Sequence, residues 1–106
     1  VGAKVLRAGQ VLNSSTLGIL ATAGVPEVAV YERPVVGVLS SGDEVADPSL
    51  AGSGTRLPHG VVFDANRPTL LASLLEFDAT PVDLGIVKDD MNLLASALSS
   101  ALERCD

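Results

Sequence analysis

The amino-acid sequence predicts an α/β fold. The expected architecture is a mostly parallel sheet with helices packed on it, preceded by a short extended/helix/strand segment. Three observations point to it. Val35-Val36-Gly37-Val38-Leu39 is a continuous apolar run, as expected of a strand buried on both faces. From that run onward the chain alternates strand, loop, helix, strand, helix, an order that implies parallel strands joined by right-handed crossovers. Apolar residues make up 47% of the 106 positions and aromatics only 3%, so the core is to be built from Val, Leu, Ile and Ala. Such side chains suit helices layered closely on parallel strands.

Residues 1–33 read as a segment that precedes the core domain, and residues 34–106 as the N-terminal portion of that domain. Val1 to Leu12 is expected to be extended, with a turn at Ala8-Gly9-Gln10. Ser14 or Ser15 caps a short helix through Ala23, which Gly24 ends in a left-handed conformation. Glu27-Val28-Ala29-Val30-Tyr31 follows as a short strand, and Arg33-Pro34 forms the joint, because proline disfavours helix in the residue before it. After the strand Val35–Leu39, residues 47–62 carry Pro, Gly and Ser at high density and are expected to form one long loop. A helix from Pro68 to Glu76 or Phe77 presents Leu70, Leu71, Leu74 and Leu75 as a stripe, with Pro68 in the first turn, where its missing N–H costs nothing. Thr80 to Val87 is the second strand, with Val82, Leu84 and Ile86 on one face. Asp89 or Asp90 caps a last helix, Met91 to Arg104, whose stripe is Leu94, Ala97 or Leu98, and Ala101 or Leu102. Two parallel strands alone make a poor domain. The expectation is therefore that the chain continues past Asp106 or that the missing strands come from elsewhere.

A net charge of −6 argues against a nucleic-acid binder and against a polybasic membrane patch. The apolar runs are too short to span a bilayer, and no signal-peptide core opens the chain. Cys105 is the single cysteine, so no internal disulfide can form. A cytoplasmic protein is expected.

Ligands of open parallel sheets bind at the carboxyl ends of the strands. Ser40-Ser41-Gly42-Asp43-Glu44 follows the first strand and Lys88-Asp89-Asp90 the second. Asp64-Ala65-Asn66-Arg67 stands where the long loop enters a helix. Gly42 and the hydroxyls of Ser40 and Ser41 suit close approach to an anion, the helix start after Asn66 adds aligned N–H groups, and Arg67 offers a forked phosphate contact. Asp43, Glu44, Asp64, Asp89 and Asp90 would need a divalent cation between themselves and a phosphate, with Mg²⁺ the usual choice. Each cluster also has a plain structural reading: helix caps at Asp89, Asp90 and Asn66, a solvated turn at Asp43-Glu44, a surface charge at Arg67. Ser14, Ser15 and Thr16 read as capping residues, and His59 stands alone on a loop.

These same segments resemble a known family. Arg33-Pro34 through Val35–Leu39 to Ser40-Ser41-Gly42-Asp43-Glu44-Val45 is similar to the stretch ending Leu-Ser-Thr-Gly-Asp-Glu-Leu in MoeA and the gephyrin E domain. Phe63-Asp64-Ala65-Asn66-Arg67-Pro68-Thr69-Leu70-Leu71 resembles their Arg-Asp-Ser-Asn-Arg-Pro-Met-Leu stretch. Val82-Asp83-Leu84-Gly85-Ile86-Val87-Lys88-Asp89-Asp90 resembles their Asp-Leu-Gly-Ile-Val segment and its Asp-Asp pair. Upstream, Ala8-Gly9-Gln10 and Leu17 through Val25 match the segments that precede the family's core domain. Three ordered motifs make the resemblance specific, and it covers nearly the whole chain.

The resemblance implies that the core is part of a three-layer α/β/α sandwich, a molybdopterin-binding domain, and that the protein is an enzyme of molybdenum cofactor biosynthesis, a molybdopterin molybdotransferase. Such an enzyme binds adenylylated molybdopterin, hydrolyses the adenylate with release of AMP and inserts molybdate, using Mg²⁺, as a cytoplasmic homodimer. By motif position it assigns catalysis to Asp43, Glu44 and Asp89. Substrate binding falls to Ser40, Ser41, Gly42, Asp64, Asn66, Arg67 and Asp90, and metal binding to Asp43 and Asp64. No nucleic acid and no membrane insertion are implied. Some residues depart from the family pattern: Ser41 stands where Thr is usual, Phe63 where Arg is usual, and Ala65 where Ser is usual. The family's Gly-Gly motif strand is absent, so the 106 residues alone are expected to be inactive. One alternative is a gephyrin-like scaffold with receptor or cytoskeletal partners. Another is a related molybdopterin-binding domain without transferase activity, although the segment before Arg33 disfavours stand-alone adenylyltransferases and CinA-like proteins.

Overall fold

A computed structural model of the chain describes residues 2–106; Val1, the first residue of the expected extended stretch, lies outside them. The chain divides into two compact units, Val1–Tyr31 and Glu32–Asp106.

The first unit holds one helix, α1 (Ser14–Thr22). Its cap is Asn13 rather than a serine. The Asn13 side-chain oxygen accepts from the Thr16 N–H at 3.0 Å, and the Thr16 hydroxyl accepts from the Asn13 N–H at 2.6 Å. This reciprocal pair satisfies two otherwise unpaired donors of the first turn and buries Thr16. The Gln10 N–H donates to the Arg7 carbonyl, closing the expected turn, and Gly24 follows the helix at φ +72°. The expected strand at 27–31 does not form. Its alternation of apolar residues is real, but a strand must pair its backbone groups with a neighbour, and residues 2–26 of this unit contain no strand.

The second unit is built on two parallel strands, β1 (Val35–Ser41) and β4 (Thr80–Val87). Between them lie β2 (Val45–Ala46), a single 3₁₀ turn at Pro48–Leu50, β3 (Val62–Phe63) and α2 (Asn66–Glu76); α3 (Met91–Leu102) follows β4. Helix α2 packs on both long strands and α3 on β4. Among the described residues, the buried apolar side chains are Val38 of β1, Ala79 at the entry to β4 and Ala101 of α3. Leu94, Ala97 and Ala101 form the covered stripe of α3, while Leu98 and Leu102 face out. On α2, Leu71 and Leu74 are half-buried, but Leu70 and Leu75 are exposed, so only half of the expected stripe packs inward. Beyond α3, the Asp106 N–H donates to the Val35 carbonyl at 3.0 Å, and the Asp106 carboxylate accepts from the Val35 N–H at 2.8 Å. The chain therefore returns to the start of β1.

Two features differ from expectation in ways that shape the site. The stretch 47–62 is not one unstructured loop, because its two ends are pinned by the parallel pair β2–β3. The Val62 N–H donates to the Glu44 carbonyl at 2.8 Å and the Asp64 N–H to the Ala46 carbonyl at 2.9 Å. In addition, Val38 pairs with Asp83 but Ser40 pairs with Ile86, so β4 uses one residue more than β1 over that interval. Gly85 supplies the backbone for this bulge at φ +78°, and its N–H donates to the Asp83 carboxylate at 2.8 Å. The extra residue breaks the simple alternation expected for Val82, Leu84 and Ile86.

Candidate functional site

The carboxyl ends of β1 and β4 lie side by side. Ser41 pairs with Val87, and the Gly42 N–H donates to the Val87 carbonyl at 3.1 Å. The residues that follow, Asp43-Glu44 and Lys88-Asp89-Asp90, therefore leave the sheet from one edge. The β2–β3 pair brings the Asp64 segment to that edge as well, since Asp64 follows Phe63 directly. Backbone hydrogen bonding thus joins all three acidic segments expected from the sequence.

Gly42 is buried at φ +138°, a conformation that L side chains rarely adopt. A β-carbon there would also lie 2.6 Å from the Glu44 carboxylate, which folds over the glycine backbone. Asp43, Glu44 and Asp89 are exposed and make no side-chain hydrogen bond or ion pair among the described residues. Asp90 is the N-cap of α3; one carboxylate oxygen accepts from the N–H groups of Asn92 at 2.8 Å and Leu93 at 3.0 Å. Asn66 is exposed at the start of α2 and caps nothing.

Arg67 is not a surface charge. Its residue exposure is 6%, and its guanidinium is held by three carboxylates. Nε donates to Asp64 at 3.0 Å, one terminal nitrogen donates to both oxygens of Asp83 at 2.6 and 2.5 Å, and the other donates to Asp47 at 2.6 Å. Asp64, itself 5% exposed, also accepts from the Arg67 backbone N–H at 3.1 Å. It therefore caps the first turn of α2 in place of a side chain at Ala65, the N-cap position.

The electrostatics follow from these bonds. The Asp64 carboxyl is held below the usual carboxylate range, first by the Arg67 backbone N–H, against the opposing effect of burial, and further by the Ser40 hydroxyl and the Arg67 side chain. Asp83 is lowered chiefly by Arg67 and then by the Gly85 N–H. Asp47 is lowered chiefly by Ser49, with Arg67 adding to the effect. The guanidinium is driven further toward its charged form, above all by Asp83.

This arrangement changes the reading of two residues. Arg67 was expected to offer its fork to a phosphate, but here the fork is filled by carboxylates. Asp64 was expected to ligate a metal, but both of its oxygens are hydrogen-bonded to Arg67. Among the described residues, no group of three or more His, Cys, Asp or Glu side chains is placed to hold a metal ion. Asp47 and Asp83 were missed as members of the cluster. Asp83 had a signal in the sequence: a charged residue inside an apolar strand, two positions before a glycine, fits a bulge that turns a carboxylate inward. Asp47, in a stretch rich in Pro, Gly and Ser, had none.

No family model matches the chain. It is 35% identical over 105 residues to a molybdopterin molybdenumtransferase from Nostoc sp., covering 99% of this chain and 23% of that protein. It is 33% identical over 105 residues to the molybdopterin molybdenumtransferase of Haemophilus influenzae, covering 99% of this chain and 25% of that protein. A crystal structure of the molybdopterin biosynthesis MoeA protein from Pyrococcus horikoshii shares the fold with a TM-score of 0.76 and 26% identity, over 99% of this chain and 27% of that one. The chain thus spans about a quarter of the length of the relatives it matches. Over nearly its whole length, in sequence and in fold, it is homologous to one segment of the MoeA-type molybdopterin molybdenumtransferases.

Proposed function

We propose that this chain supplies one wall of the cleft in which a molybdopterin molybdenumtransferase inserts molybdate into adenylylated molybdopterin and releases AMP. The supporting observation is the meeting of three acidic segments, in the order of the family's motifs, at the carboxyl edge of a parallel strand pair. Gly42, with its left-handed backbone, makes the turn that carries Asp43 and Glu44 off the end of β1. In this reading Ser41 and Asn66 serve the polar and anionic groups of the pterin. Asp43, Glu44 and Asp89 are the carboxylates free to act on a ligand.

Mg²⁺ fits this set in a restricted way. It is commonly held by one or two carboxylates, with water and substrate phosphate completing the shell. Asp43 and Asp89 fit that role; Asp64 does not while Arg67 holds it. When bound, the cation would neutralise phosphate charge against the acidic rim. The reading extends to a cytoplasmic homodimer, as in the family. No helix among the described residues is long and apolar enough to cross a membrane. No observation specifically favours the scaffold alternative.

The test is a chimera in which this chain replaces the matching segment of the Nostoc relative. It is expected to restore molybdoenzyme activity to a molybdenumtransferase-deficient strain. A chimera that accumulates to normal levels and restores none would refute the proposal.

A further inference from the structure

We propose that Arg67 is a positioning residue for the molybdate-insertion cleft, a clamp that fixes its acidic rim, rather than a ligand for the substrate's phosphate. The inference rests on the function proposed above for that cleft. Four segments meet at this side chain. Asp47 follows β2, which carries on directly from Asp43-Glu44. Asp64 closes β3 and caps α2. Asp83 sits at the β4 bulge, upstream of Lys88-Asp89-Asp90. Arg67 itself belongs to the first turn of α2.

The donor inventory supports the assignment. A guanidinium has five N–H groups. Four are accounted for by Asp64, Asp83 and Asp47: one on Nε, two on the nitrogen shared by the Asp83 oxygens, and one on the other. A bidentate phosphate contact needs two parallel donors, so the side chain cannot make one without surrendering a carboxylate. Three carboxylates against one guanidinium also leave the cluster anionic, which repels an incoming phosphate. By contrast, the same bonds join segments that are far apart in sequence, the geometry required of a brace. Reacting groups must be held to within fractions of an ångström, and the two-residue pair β2–β3 is otherwise a short tether for the rim.

The experiment compares Asp83→Asn, Asp47→Asn, Arg67→Lys and Arg67→Gln in the Nostoc chimera. It reads molybdate-dependent AMP release, the Michaelis constant for adenylylated molybdopterin, and amide hydrogen exchange over residues 43–64. Exchange is measured on the 106-residue chain as well. For a clamp, Asp83→Asn and Asp47→Asn each speed exchange at Val45, Val62 and Asp64 and lower the turnover rate about tenfold, with the Michaelis constant changed less than threefold. Arg67→Gln does more of the same, and Arg67→Lys recovers part of the loss. A phosphate ligand would behave in the opposite way. Freeing the guanidinium by Asp83→Asn would lower the Michaelis constant, Arg67→Gln would raise it at unchanged turnover, and loop exchange would stay as in the parent; that result overturns the clamp. If the parent chimera releases no AMP, the functional reading fails. The exchange pattern still decides whether Arg67 braces the rim.

Discussion

Apart from Asp90, the cap of α3, six carboxylates in and near this rim divide into two sets. Asp47, Asp64 and Asp83 converge on the Arg67 guanidinium. Asp43, Glu44 and Asp89 stand a few residues away in the chain, exposed and without a hydrogen bond or ion pair among the described residues. Acidic residues of one rim therefore serve different ends. A charge bonded to a buried partner fixes geometry, and its removal is felt as lost structure. A charge left in water contributes little to the fold and stays available to a cation or substrate.

The contrast is most easily broken at its centre. Replacing Arg67 with Met leaves Asp64 buried without a counter-charge. Breaking a fully buried pair costs about 3–5 kcal/mol; because Asp47 and Asp83 are partly exposed, the loss expected here is about 2 kcal/mol. Urea unfolding followed by circular dichroism reads this directly. A loss under 1 kcal/mol would show that the bonds to Arg67 do not brace the unit.

Acid should act on the same set. The carboxyls of Asp47, Asp64 and Asp83 are lowered in the folded state. Their contribution is therefore complete above the unfolded carboxylate range, near pH 4, and is lost as pH falls through their depressed folded values. Stability is expected to decline below about pH 4 in the parent chain and to decline less in Arg67→Met. Parallel curves for the two proteins would contradict the assignment.

Neighbouring residues give a sharper comparison. Asp90 caps α3 and Asp89 does not, so Asp90→Ala should cost about 1 kcal/mol and Asp89→Ala less than about 0.5 kcal/mol. Equal losses by thermal denaturation would erase the distinction between the bonded and free carboxylates. At the small end, the ion pair of Arg33 with Asp78 is 3.1 Å long but exposed on both sides. Arg33→Ala should change stability by less than about 0.5 kcal/mol.

How much of this was legible in the sequence depends on the physical range of each signal. The two long strands and α3 were readable, since the apolar run at Val35–Leu39, the Thr80–Val87 pattern and an aspartate cap at 89 or 90 are local features, and the structure selects Asp90. The strand at 27–31 was misread because alternation reports amphipathicity and not the presence of a partner. β2 and β3 were invisible because two residues carry no periodicity; the pairing of Val45 with Val62 and of Ala46 with Phe63 defines them. The meeting of the three acidic segments followed from parallel topology. The occupation of Arg67 did not, because it depends on the Gly85 bulge and on a loop residue, Asp47, brought in from 20 positions away.

The division between bonded and free carboxylates is tested most directly by the rate of molybdate-dependent AMP release in the purified chimera. Asp43→Asn and Asp89→Asn are each predicted to slow release at least about tenfold while leaving the unfolding midpoint of the protein unchanged. Release at the parent rate in both variants would contradict the account, because the exposed acids of the rim would then have no part in the chemistry.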